Sequence, residues 1–253
     1  MDKYFYKIYN ESCFDTINRL IEENQRINVV LTSPPYNTSR KSRIDPYMQR
    51  YENHIDVLTD EEYINQTVKL FEGFDRILAE NGVILYNMSY STEKSMLMHE
   101  TVYNIFKRTN FRLADTIVWK KQNAIPDNRS SNRLTRIVEY VYVFCRESEM
   151  RTFQCNKELL SVSKGGANVY QPIFNFIEAK NNDGSNKLNK ATYSTELCEK
   201  LLNIYGKEND VIYDPYMGIG TTAKAAMNLH MNCIGSEISE AQTNYAIESL
   251  KNN

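Results

Sequence analysis

The chain has no closely spaced cysteine pair. Cys13, Cys145, Cys155, Cys198 and Cys233 are scattered, and its three histidines (His54, His99, His230) lie apart. That spacing argues against a structural zinc site, so no metal is expected. An odd number of dispersed thiols suits reduced cysteines better than a disulfide framework. No apolar run reaches the length of a membrane-spanning helix. The opening Met1-Asp2-Lys3-Tyr4-Phe5-Tyr6-Lys7 lacks the apolar stretch of a signal peptide, and the expectation is a soluble, cytoplasmic protein with no membrane partner. Strong charge of either sign is also missing. Thirty basic residues against 32 acidic ones leave −2. No whole-protein basic field draws in nucleic acid, so any DNA surface has to be local. Internal repeats and low-complexity tracts are absent.

What is present is enough apolar material, 42% of 253 residues, for one large α/β domain or a core with a small insertion. Short apolar runs alternate with helical spacing. Tyr4 to Tyr9, Ile27 to Leu31, Val83 to Tyr86, Leu113 to Trp119, Glu139 to Cys145, Val211 to Tyr213 and Met231 to Gly235 read as strands. Helices are predicted over Cys13 to Glu23, Thr59 to about Glu80, Ser95 to Lys107, Thr195 to Tyr205, Thr221 to Leu229 and Gln242 to Leu250. Thr59 and Glu62 stand at capping-box spacing. Residues 38–58 read as a polar mobile loop, and 148–190 as irregular. The alternation predicts a mostly parallel sheet covered on both faces.

Two segments carry the chemistry. Ser33-Pro34-Pro35-Tyr36 follows the strand at Ile27 to Leu31. Two prolines fix two φ angles and remove two N–H donors, leaving stiffly held carbonyl acceptors. Such a pocket suits a flat base carrying an amino group: the Ser33 side chain and the Pro34 carbonyl accept its hydrogens while Tyr36 stacks on the ring. Preorganised acceptors of this kind make the amino nitrogen a better nucleophile. The second segment, Asp214-Pro215-Tyr216-Met217-Gly218-Ile219-Gly220-Thr221-Thr222, runs from strand through glycine turn to helix. Gly218 and Gly220 let backbone approach a ligand. No Lys follows the second glycine as in a phosphate-cradling loop, and the third glycine of a dinucleotide turn is missing. Glu237, after the next strand, is placed to accept from ribose hydroxyls.

Two polar stretches supply local positive charge. Arg40, Lys41, Arg43 and Arg50 outnumber Asp45 by three over residues 38–50. Lys120, Lys121, Arg129, Arg133 and Arg136 outnumber Asp127 by four over residues 120–136. Both follow predicted strands that point toward the same edge, and both are candidate DNA contacts.

With these residues in view, the chain resembles the S-adenosylmethionine-dependent DNA amino-methyltransferases of the permuted beta class, in which the catalytic segment precedes the cofactor segment. Here Asp214 lies 181 residues after Ser33. The resemblance implies a Rossmann-like, seven-stranded, circularly permuted α/β sheet. It implies a methyl-donor site built from Asp214, Pro215, Tyr216, Gly218, Gly220, Thr221, Thr222 and Glu237. Thr192 joins them from a segment, Ala191 to Leu197, that lacks the family's usual His and Pro. Cys13 joins them from a degraded motif, Asn10 to Cys13. The catalytic residues it implies are Ser33, Pro34, Pro35 and Tyr36. It divides the chain into a catalytic half (1–147), a short target-recognition region (148–188) and a cofactor half (189–253).

The substrate it implies is double-stranded DNA, with a homodimer and a cognate restriction endonuclease as candidate partners. Ser at the first catalytic position, Tyr193-Ser194 and the run Val118 to Pro126 are similar to cytosine-N4 enzymes. N6 of adenine is the alternative, and a structured RNA the third. Cytosine-C5 chemistry is unsupported, because no proline precedes a cysteine.

Overall fold

Apolar runs of four to six residues set the frame. In the computed structural model, which describes residues 3–37, 58–91, 94–124, 126–128, 131–184, 186–189 and 192–252, the elements follow the alternation. They are β1 (Tyr6–Tyr9), α1 (Cys13–Glu22), β2 (Ile27–Thr32), α2 (Asp60–Ile77), β3 (Leu78–Met88), α3 (Leu97–Arg108), β4 (Phe111–Lys121) and β5 (Val138–Arg146). There follow β6 (Leu159–Val162), β7 (Asn168–Tyr170), β8 (Phe176–Ala179), α4 (Thr195–Tyr205), β9 (Val211–Asp214), α5 (Thr221–Asn228), β10 (Asn232–Ser236) and α6 (Glu240–Lys251).

The main sheet runs β1-β10-β9-β2-β3-β5-β4-β8. All neighbours are parallel except β5, which is antiparallel to both β3 and β4. The expected parallel α/β sheet is therefore present, with eight strands rather than seven. The extra one is β8, which pairs Ile177 with Trp119 at the edge. It lies inside the region read as irregular, because a four-residue strand gives too short a pattern to recognise. The same region holds a two-stranded ribbon, β6 with β7.

Alternation along β2 sends side chains to two separate cores. Val30 joins the face covered by α1, α2 and α3, where Phe71 packs edge-on against Phe74, Tyr86, Phe111 and Phe144. Val29 and Leu31 join the opposite face with Leu197, Leu201 and Leu202 of α4 and the alanines of α5. A buried leucine or phenylalanine contributes about 1.5–3 kcal/mol, so both faces hold β2 firmly in register.

Local caps set the helix starts. Ser12 accepts from Asp15 N to begin α1, and Thr59 with Glu62 forms the predicted capping box on α2. Helix α2 stops at Ile77, short of the expected Glu80. Leu78 already pairs with Ile27, the register then jumps to Val29 with Val83, and Asn81 takes φ 58° in the intervening bulge. Strand pairing thus claims residues that local propensity gave to the helix.

Candidate active site

Chain direction creates the site. From β9 the chain passes through α5 to β10 on one side; from β2 it passes to β3 on the other. Two adjacent parallel strands whose onward connections leave in opposite directions open a crevice at their carboxyl ends. Those ends are Thr32-Ser33 and Asp214-Pro215, the two motifs singled out in the sequence.

A cleft of about 210 Å³ occupies this crevice. Ser33 and Pro35 line it from the first motif. Asp214, Pro215, Tyr216, Gly218 and Thr221 line it from the second, and Cys13, Thr192 and Glu237 complete the wall. Pro34, Tyr36, Gly220 and Thr222 are not among its lining residues.

Asp214 organises the crevice. It is 2% exposed. Its Oδ1 accepts from Thr32 Oγ1 (2.8 Å) and Tyr216 N (3.0 Å), and its Oδ2 from Thr222 Oγ1 (2.5 Å) and Tyr193 OH (3.1 Å). Burial pushes its carboxyl pKa up, against the pull of those donors. Its carboxylate therefore serves the protein, joining β2, β9, α5 and the Tyr193 segment. Glu237 holds its two oxygens on Gly218 N (2.8 Å) and Ser239 N (2.9 Å), and burial raises its pKa as well. Each oxygen keeps a second lone pair for a hydroxyl donor.

The two glycines do different work. Gly218 has φ 55° and lines the cleft, where a Cβ would come within 3.0 Å of Asn189 Nδ2. Gly220 has φ 91°, and a Cβ there would meet Ala246 Cβ at 2.9 Å. Gly218 thus lies at the cleft, while Gly220 lets helix α6 approach closely. Cys13 opens α1, and burial pushes its thiol pKa up to about 11. Ser194 is the N-cap of α4, accepting from Leu197 N at 3.2 Å. That local duty accounts for a serine here without reference to the target base.

Tyr36, read from sequence as a stacking ring, carries a hydroxyl network. Its OH lies 2.8 Å from Ser33 Oγ, 2.8 Å from Asn87 Oδ1 and 3.0 Å from Glu139 Oε2. Asn87 at the end of β3 and Glu139 at the start of β5 were missed, since each reads in sequence as an ordinary strand residue. Phe14, Gln66, Asn189, Ile238 and Gln242 also line the cleft. Gln66 had no local signal, being one polar residue on an amphipathic helix.

Among the expected DNA contacts, Arg40, Lys41, Arg43, Arg50 and Arg129 lie outside the described residues. Lys120 and Lys121 fall within β4 rather than in a loop. Lys120 is paired with Glu178. Lys121 is paired with Glu139 at 2.5 Å and lies over the Trp119 ring. The Lys121 pair is largely buried, whereas the Lys120–Glu178 pair stays at the surface. Arg133 is exposed, and Arg136 donates to the Tyr90 carbonyl at 2.6 Å while lying over its ring. No group of three or more potential metal ligands occurs among the described residues. No helix there is long and apolar enough to cross a membrane.

The crevice and its two motifs can be set beside known proteins. The DNA methylase family model matches residues 27–248. Type II methyltransferase M.BglII of Bacillus subtilis is 24% identical, the match covering 96% of this chain and 68% of that one. Orphan methyltransferase M.BamHII of Bacillus amyloliquefaciens is 25% identical over 89% of each. Among solved structures, the M1.HpyAVI–SAM complex superposes with TM-score 0.69 at 19% identity, covering 97% of this chain and 99% of that one. The PvuII DNA methyltransferase, described as cytosine-N4-specific, superposes with TM-score 0.70 at 16% identity, covering 96% and 86%. With its motifs meeting in one crevice and its family model spanning most of its length, the chain belongs to the DNA methylase family of S-adenosylmethionine-dependent N6/N4 amino-methyltransferases.

Proposed function

We propose that this chain methylates the exocyclic N4 of cytosine at a short site in double-stranded DNA. The observation that carries the proposal is the shared cleft: Ser33 and Pro35 face the same space as Gly218 and Glu237. S-adenosylmethionine, when bound, supplies an electrophilic methyl group. Gly218, in its left-handed conformation, and the Glu237 carboxylate suit its amino-acid and ribose portions; Phe14 and Ile238 offer apolar walls for a ring. Cys13, Thr192, Pro215, Tyr216 and Thr221 complete the pocket.

Ser33 accepts a hydrogen from the target amino group and orients its nitrogen. Pro34 and Pro35 keep the loop from relaxing. An amino group needs no covalent enzyme adduct. The target nucleotide has to leave the duplex, at a cost of a few kcal/mol. Phosphate contacts from Arg133 and Arg136, with the cations of residues 38–50, offset it. The fully exposed ribbon β6–β7, with Tyr170, and the neighbouring Phe174 belong to the region we assign to target recognition, residues 148–188.

Serine at the first catalytic position favours cytosine N4, and the cytosine-N4-specific PvuII relative shares the fold. Adenine N6 is the second reading, within the same family. Nucleoside mass spectrometry of plasmid DNA from cells expressing the protein decides between them. N4-methylcytosine is the expected product, and N6-methyladenine alone overturns the assignment of the base.

A further inference from the structure

A phenol has one proton to donate and two lone pairs. Around Tyr36 OH stand Asn87 Oδ1 at 2.8 Å, Glu139 Oε2 at 3.0 Å and Ser33 Oγ at 2.8 Å. The Asn87 amide is oriented by its other end, since Nδ2 donates to the Tyr140 carbonyl at 3.1 Å. Its oxygen therefore faces Tyr36 as an acceptor. Glu139 can only accept as a carboxylate, and its second oxygen accepts from Lys121 Nζ at 2.5 Å. The Glu139 and Lys121 side chains are 12% and 17% exposed, so water screens this pair poorly.

Two acceptors thus compete for the single phenolic proton and draw it away from Ser33. The remaining Ser33–Tyr36 contact is then the serine O–H donating into the phenolic oxygen. That commits the Ser33 proton inward and leaves its lone pairs toward the cleft it lines.

We infer that Glu139 is a positioning residue that fixes Ser33 as a hydrogen-bond acceptor. Through Ser33 it selects bases presenting an amino group over bases presenting a keto oxygen at the same place. The inference rests on the amino-methylation reading and deepens it. It assigns the amino/keto choice to hydrogen-bond polarity set from β5, two residues removed from the target. Lys121 holds the Glu139 carboxylate in place from β4. An amino group meets lone pairs at Ser33, whereas a keto oxygen meets lone pairs with its own.

The test is a double-mutant cycle with Tyr36→Phe and Glu139→Gln, using the full chain, tritiated S-adenosylmethionine and plasmid DNA. The glutamine side chain is close to isosteric with glutamate and can turn its amide N–H toward Tyr36, which leaves Asn87 Oδ1 alone to compete with Ser33 for the phenolic proton. Each single variant is expected to lower kcat about tenfold, the order of one hydrogen bond to a charged group. Calorimetric affinity for S-adenosylmethionine should stay unchanged in both. The double variant should lose no more than the worse single, because Glu139 acts only through the missing hydroxyl.

A second readout is competition binding with duplexes carrying cytosine or uracil at the methylated position, the site having been read from modified plasmid. Wild type should prefer the amino base, and Glu139→Gln should narrow that ratio. Losses that multiply, a fall in cofactor affinity, or an unchanged ratio each overturn the role of Glu139 while leaving methyl transfer standing. Wild-type protein that transfers no methyl group to DNA overturns the underlying reading, and the inference with it.

Discussion

Thr32 Oγ1 donates to Asp214 Oδ1 across 182 residues of chain, at 2.8 Å. Thr32 is the last residue of β2 before the Ser33 loop, and Asp214 the last of β9 before the glycine turn. One hydrogen bond therefore ties the strand end that delivers the Ser33 loop to the one that delivers the glycine turn.

Removing that carboxylate should be costly. Asp214→Ala removes the acceptor of the Thr32 hydroxyl and the Tyr216 N–H and leaves the buried Tyr193 and Thr222 hydroxyls with one proton too many between them, an expected loss of roughly 3–5 kcal/mol. Asp214→Asn keeps one acceptor and should lose less than half as much. Urea denaturation of both variants checks the order; equal losses would show that the one acceptor kept by asparagine contributes nothing.

Ser33→Ala removes the acceptor facing the cleft and leaves the cofactor wall intact. Turnover should fall by roughly tenfold or more, with S-adenosylmethionine affinity retained. Steady-state kinetics alongside calorimetry separates the two effects. Parallel loss of both would place Ser33 in the cofactor site instead.

Glu237 gives a pH signature. Burial raises its folded pKa, so its contribution to fold stability is full in acid, below the ordinary glutamate range, and is lost as pH rises through the folded value. Cofactor binding runs the other way. Ribose hydroxyls donating to Glu237 favour its charged form, so affinity should climb across that same window, above the ordinary glutamate range. Titration calorimetry over a pH series should show the climb in wild type and a flat profile in Glu237→Gln. A slope that persists in the variant would assign the proton to another group.

The two turn glycines should fail differently. Gly220→Ala forces a Cβ against Ala246 and into an unfavourable φ, which costs about 1–3 kcal/mol and lowers Tm by several degrees. Gly218→Ala meets the Asn189 side chain at the cleft wall, so its larger effect should be on cofactor affinity. Thermal scans with and without S-adenosylmethionine distinguish them: the cofactor should rescue Gly220→Ala and rescue Gly218→Ala poorly.

Most strands and helices were legible because their signals are local. Thr59 and Glu62 announce a cap three residues apart, and Ile27 to Leu31 is apolar enough to mark a buried strand. The helix expected to reach Glu80 stops earlier because Asn81-Gly82, which has the composition of a helix-ending turn, lies inside a strand bulge. Strand β8 was illegible because its partner, β4, lies more than fifty residues away and its four residues carry no long pattern. The close packing of α6 on Gly220 was likewise illegible, because Ala246 lies 26 residues further along the chain.

By itself, the sequence determined the alternation of strand and helix, the order of the two motifs and the residue types able to bind an amino group and a nucleoside. Those follow from spacing and side-chain chemistry, which neighbours along the chain express. Tertiary structure alone decided that Asp214 serves as a buried clasp, that Lys121 faces Glu139 rather than solvent, and that the Tyr36 hydroxyl meets Asn87 and Glu139. Each of these depends on hydrogen bonds between residues distant in sequence, whose partners exist only once the sheet has brought their strand ends to one edge.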